Sequence, residues 1–215
     1  MTAVPKFRAP ALRSAAALAG AGLVDPARVA ALEAVAARYA VAVTPDMAGL
    51  IDPTDPADPI ARQFVPDEAE LAASPDDVAD PVGDEARAAA PGIVHRYPDR
   101  VLLKVTHTCA VYCRFCFRRE VVGPEGAGTM TAAELDAAMA YVAARPQIWE
   151  VIVTGGDPLV LSPRRLREAM QRLAAIDHVR IVRLHTRLPV ADPAAITPEL
   201  LAALACPGKA VYVAL

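Results

Sequence analysis

Apolar and polar positions follow two different rhythms along the chain. From Val101 onward, "RVLLKV", "IWEVIVTGGDP", "HVRIVRLHTR" and "KAVYVAL" have the length and β-branched content of buried strands. Between them lie stretches of helical period. "TAAELDAAMAYVAARP" has Thr131 and Glu134 spaced as a capping box, with Leu135, Ala138, Met139 and Val142 on one face. "SPRRLREAMQRLAAI" has Ser162 as N-cap, Pro163 at the first helical position and a face of Leu166, Met170 and Leu173; Thr197 and Pro198 open a further helix, "TPELLAALAC". Strands alternating with helices predict a parallel sheet, either a barrel or an open doubly wound sheet. In both, functional groups sit just after the carboxyl ends of strands. Three polar segments fall there: a cysteine-rich loop, "TGGDP" and "HTR".

Before residue 99 the texture differs. "DPARVAALEAVAARYA" predicts one helix, with Asp25 as N-cap, Pro26 at the first position and Val29, Leu32, Val35 and Tyr39 near a 3.6-residue period. The stretch that follows, "TPDMAGLIDPTDPADPIARQFVPDEAELAASPDDVADPVGDEARAAAPG", is dense in Pro and Asp and predicts turns and short helices, with weak enough apolar content to admit disorder. The expected division is an extension over residues 1–98 and a core over residues 99–215.

At 215 residues and 54% hydrophobic, the chain can bury a core. Twenty-two Lys and Arg against 25 Asp and Glu leave −3, so there is no global attraction to nucleic acid or to an acidic membrane, and cationic chemistry has to be local. The N-terminus has basic residues before a small-residue run, but Ala and Gly dominate and Arg13 interrupts it, so neither an export signal nor a membrane span is expected. Four cysteines are too few for a disulfide scaffold and point to a reducing compartment, the cytoplasm.

Three of those cysteines crowd into "THTCAVYCRFCFRRE": Cys109, Cys113 and Cys116. A structural zinc needs four S or N ligands, and Cys206 is remote, fitting better as a small buried hydrophobe. His107, two residues before Cys109, is poorly spaced to join the same tetrahedron. Three thiols do suit a [4Fe–4S] cube with one iron open to an external ligand. Tyr112, Phe115 and Phe117 can shield such a cluster, while Arg114, Arg118 and Arg119 supply positive charge. "HRYPDR" is a second pointed segment, since Arg96 and Arg100 flank a turn and can converge on a phosphate.

The Cys-x3-Cys-x2-Cys spacing, with an aromatic before the last cysteine, resembles the signature of radical S-adenosylmethionine enzymes. With "DPIARQFVP", "DPVGDE", "PGIVHRYPDRVLLKVTHTCAVYCRFCFRREVVG", "EVIVTGGDPL" and "HTRLPVADPAAIT", the chain from roughly residue 55 to 215 resembles the lysine 2,3-aminomutase family, including the branch that isomerises a lysine used on elongation factor P. The resemblance implies an N-terminal helical extension followed by the first four βα units of a partial (β/α)6-type barrel, incomplete at the C-terminus. It implies Cys109, Cys113 and Cys116 on a [4Fe–4S] cluster, whose open iron takes S-adenosylmethionine. Gly155, Gly156 and Asp157 would lie at the methionyl amino group, with His185, Thr186 and Arg187 as further contacts to that cofactor. Arg96, Tyr97 and Arg100 would hold pyridoxal phosphate, and Arg118 the α-carboxylate of the substrate. The implied reaction moves an amino group between C2 and C3 of lysine or a lysine-derived substrate, with an electron donor and a homo-oligomer as expected partners.

The family's Schiff-base lysine lies in a glycine-rich segment that does not occur here, and neither Lys104 nor Lys209 matches it. No catalytic residue is therefore assigned, and the 215 residues alone are not expected to complete the mutase reaction. Another radical S-adenosylmethionine reaction, or a non-enzymatic cysteine-rich metal module, is the alternative.

Overall fold

The computed structural model describes residues 10–72, 74–123 and 128–215, so the first nine residues of the N-terminal run lie outside it. The chain forms two compact units: residues up to Ala73 together with Val111–Arg114, and Ser74–Ala110 together with Phe115–Leu215. Residues 88–97 of the expected extension supply two strands to the sheet of the second unit.

The first unit is helical. Ser14 caps α1 (Ala15–Gly20), and Asp25 caps a 3-10 turn, Pro26–Arg28, that runs into α2 (Val29–Arg38). α3 (Pro45–Ala48) starts at Thr44, and α4 (Ala61–Phe64) follows a chain of turns. Leu18, Leu32, Val35, Val43 and Phe64 are buried here. The Pro/Asp-rich stretch owes its order largely to its own carboxylates. Asp58 accepts from the amides of Ile60 and Ala61, Asp52 from that of Thr54, and Asp67 forms a reciprocal capping box with Glu70. The segment 111–114 is stitched in by Tyr112 N–H to the Ala42 carbonyl (3.1 Å) and Arg114 N–H to that of Gln63 (2.8 Å).

The second unit is a six-stranded sheet in sequence order: β1 (Ala88–Ala90), β2 (Ile93–Tyr97), β3 (Arg100–Thr106), β4 (Glu150–Gly155), β5 (Ile181–His185) and β6 (Ala210–Ala214). The first three strands pair antiparallel, and β3 to β6 run parallel. The four strands expected after Val101 are all present; β1 and β2 add an antiparallel edge that the alternation alone did not predict. α5 (Ala132–Ala143) and α6 (Pro163–Ala174) begin at the expected caps, Thr131 and Ser162. Between β5 and β6 come α7 (Leu188–Ala191) and α8 (Pro198–Ala203), the latter capped by Thr197.

Side chains alternate across a strand, and this sorts the sheet into two faces. Val101, Leu103 and Val105, Val151 and Val153, and Val182 and Leu184 join the apolar residues of α5 and α6 in one core. Arg100, Leu102 and Lys104, Glu150 and Ile152, and Arg183 alternate with them and belong to the other face. That second face carries the charge. Among the described residues no helix is long and apolar enough to cross a membrane.

Candidate functional site

The carboxyl end of β3 leads directly into the cysteine loop. Cys109 and Cys116 belong to the second unit, and Cys113 to the segment grouped with the first; each is half-buried. Cys116 Sγ accepts a hydrogen bond from Arg118 N–H at 3.4 Å. Three thiolates are the donor chemistry of an iron–sulfur cluster with an open iron. Among the described residues no group of three or more His, Cys, Asp or Glu is gathered to hold a single metal ion. Within the first unit the Arg114 guanidinium grips Glu70 at 3.0 and 2.6 Å and donates to the Ala40 carbonyl at 2.8 Å.

The "TGG" at the end of β4 is a close-approach site. Gly155 has φ of 115°, and a Cβ there would overlap the Thr106 carbonyl oxygen; a Cβ on Gly156 would overlap that of Thr108. Only glycine fits against these backbones. Gly156 N–H donates to Thr106 O (2.6 Å) and Asp157 N–H to Thr108 O (2.9 Å). Both glycines are thus required by the chain's packing on itself, at the root of the cysteine loop.

Asp157 is 5% exposed and saturated. One oxygen accepts from Leu159 N–H (3.0 Å) and the Thr186 hydroxyl (2.6 Å), the other from Arg187 N–H (2.8 Å) and Leu188 N–H (3.0 Å). Four donors fill the acceptor capacity of a carboxylate. Thr186 likewise serves the tie, at 5% exposure, whereas His185 is exposed and the Arg187 guanidinium stacks 5.2 Å from the Phe115 ring. Although His185 as a residue is exposed, crowding of its ring, then Arg183 and Arg118, lower its pKa. His107 is likewise lowered, by burial and then by Lys104.

The remaining expected residues meet at a pocket of about 230 Å³ within the second unit, somewhat below the ~300–1,000 Å³ usual for small-molecule sites. Arg96, Tyr97 and Arg100 line it from the strand ends on either side of the β2–β3 turn, and Phe117 and Arg118 from just past the third cysteine. Leu102 and Ile152 of the charged face supply apolar lining. The two turn arginines are not equivalent. Arg100 is held by Asp99 at 3.0 and 2.9 Å and lies 3.5 Å from Glu150, while Arg96 makes no hydrogen bond or ion pair with another described residue. Arg100 in turn depresses the pKa of Asp99. Glu150, 1% exposed, also takes Arg183 at 2.8 and 2.7 Å, so one buried carboxylate sits between two guanidinium groups. A pocket wall with an uncommitted guanidinium fits a phosphate group.

Asp84 is a functional candidate that the sequence reading missed. Its carboxylate takes Arg118 Nε at 2.9 Å and lies 3.8 Å from Lys104 Nζ. "DPVGDE" was visible as a segment, but nothing local connects it with residues twenty and more positions away.

The parallel βα architecture, with a three-cysteine loop following its first parallel strand, defines the class. Residues 103–215 match the model of the radical SAM superfamily, and the chain belongs to that superfamily. It is 41% identical over 164 residues to the L-lysine 2,3-aminomutase of Acetoanaerobium sticklandii, covering 76% of this chain and 39% of that protein. It is 42% identical over 161 residues to that of Clostridium subterminale, covering 75% and 38%, and 38% identical over 168 residues to a glutamate 2,3-aminomutase of Clostridioides difficile, covering 78% and 39%. The matched part thus spans under two fifths of the length of these relatives.

Proposed function

We propose that this chain carries the cluster-binding and cofactor-phosphate parts of an amino acid 2,3-aminomutase acting on lysine. The observation that carries the reading is the pocket that Arg96, Tyr97 and Arg100 share with Phe117 and Arg118, directly behind the third cysteine. Cys109, Cys113 and Cys116 would hold a [4Fe–4S] cluster, with S-adenosylmethionine on the open iron and His185 and Arg187 beside it. Arg96 would bind the phosphate of pyridoxal phosphate, with Arg100 as a pre-neutralised neighbour and Tyr97 alongside. Arg118 would hold the substrate α-carboxylate. When bound, these groups supply radical hydrogen abstraction, driven by an external electron donor, and a carbonyl through which an amino group moves.

The chain's own residues bind and orient. Arg118 fixes the carboxylate end of the amino acid, which sets C2 and C3 at a defined distance from the cluster loop; hydrogen abstraction needs such near-contact geometry. Val82, Val94, Leu102, Ile152 and Phe117 line the pocket with apolar surface that keeps water from a reactive carbon.

The test is anaerobic reconstitution of the chain with iron and sulfide. About four irons per chain, dithionite-dependent release of 5′-deoxyadenosine, and pyridoxal phosphate absorbance that Arg96→Gln abolishes would support the reading. Colourless protein with one tightly bound zinc would reject it in favour of a metal module.

A further inference from the structure

We infer that Asp84 is a positioning residue that sets which edge of the Arg118 guanidinium faces an amino acid carboxylate. The inference rests on the reading of Arg118 as the carboxylate ligand. Asp84 is 7% exposed, and its Oδ2 accepts from Arg118 Nε at 2.9 Å. The same oxygen lies 3.8 Å from Lys104 Nζ, and all three side chains are largely buried, at 10%, 13% and 17% exposure for Asp84, Arg118 and Lys104. The guanidinium is also braced from one face, 4.5 Å above the Phe117 ring.

The delivery of Asp84 is built into its segment. Asp80 accepts from Glu85 N–H at 2.8 Å, its carbonyl accepts from Gly83 N–H at 3.1 Å, and Gly83 turns the chain at φ of 66°. That turn presents the Asp84 carboxylate to Arg118 from outside the sheet strands. The consequence is geometric. A guanidinium offers a carboxylate either its Nε side or its terminal fork. With Nε held by Asp84, the terminal Nη1 and Nη2 remain for the ligand, so the carboxylate docks end-on. One carboxylate shared by two cations leaves the group at a net +1, which attracts an anionic ligand group while the guanidinium stays fixed.

The experiment compares L-lysine with cadaverine, which lacks the carboxylate, by calorimetric titration of the reconstituted chain. The affinity ratio reads the carboxylate contact alone. The wild-type chain is expected to prefer L-lysine, and Arg118→Gln to erase the preference. Asp84→Asn is expected to lower it about tenfold, the scale on which losing a supporting partner weakens a ligand contact. It should also speed phenylglyoxal modification of Arg118, read by peptide mass. Asp84→Glu keeps the charge but moves the carboxylate by one methylene, so Arg118 stays shielded while the preference still falls severalfold; this variant decides the matter if Asp84→Asn does not fold. An unchanged preference in Asp84→Glu, or unchanged preference and Arg118 reactivity in a folded Asp84→Asn, overturns the positioning role while leaving the carboxylate reading intact. A wild-type chain without preference, or a preference that survives Arg118→Gln, rejects the carboxylate reading and the positioning role with it.

Discussion

Thr186 donates its hydroxyl to Asp157 across 2.6 Å, and both residues are buried at the carboxyl ends of neighbouring parallel strands. Because the same carboxylate takes the amides of Leu159, Arg187 and Leu188, it ties the end of β4 to the segment that follows β5.

Asp157→Ala should therefore be among the most damaging single changes in the second unit. It leaves buried donors without an acceptor, at a cost of about 2–4 kcal/mol. Urea unfolding followed by circular dichroism should show a lowered midpoint with an unchanged slope. Asp157→Asn should be nearly as harmful, because the amide nitrogen cannot accept. A midpoint within error of wild type for both variants would remove the tie from the account.

Arg114 and Glu70 make the corresponding test in the first unit. The pair is enclosed, at 8% and 11% side-chain exposure, and bidentate. Removing one partner strands the other charge, so Arg114→Met is expected to destabilise by about 3–5 kcal/mol. Replacing both, Arg114→Met with Glu70→Leu, should recover much of that loss, and a double-mutant cycle measures the coupling. Additive single effects would show that the pair is not a unit.

Glu134 gives a pH signature. Its carboxylate accepts from Thr131 N–H at 2.7 Å and from the Thr131 hydroxyl at 2.9 Å, and the backbone bond, then the hydroxyl, lowers its pKa from the ordinary 4.5. A depressed folded pKa means that the stabilisation is complete above pH 4.5 and fades as pH falls toward the lower folded value. Thermal melts of the wild type and Glu134→Gln should thus differ at pH 7 and converge in acid. A difference that persists unchanged at pH 3 would assign the effect to packing.

What could be read from the sequence was whatever is decided within a few residues. The caps at Thr131, Ser162 and Thr197 combine a side-chain acceptor with the start of a helical period, and all three begin helices where expected. The strands after Val101 announce themselves by β-branched content. β1 does not, because "AAA" has no strand preference and is held only by pairing with β2. The pocket was half legible. Arg96, Tyr97, Arg100 and Arg118 were singled out by chemistry, but Asp84 and Glu150 become interesting only once the fold brings distant cations to them. Asp157 shows the same limit. Followed by proline it reads as a local turn, while three of its four bonds go to residues about thirty positions later.

The glycines against Thr106 and Thr108 have a mechanical consequence. The root of the cysteine loop is bonded to Gly156 and Asp157, and Asp157 is bonded in turn to residues 186–188. Three strand ends therefore behave as a single ledge. A ligand that pulls on the loop pulls on the turn after β5 as well, and the amides along this ledge should open to solvent together rather than one strand at a time.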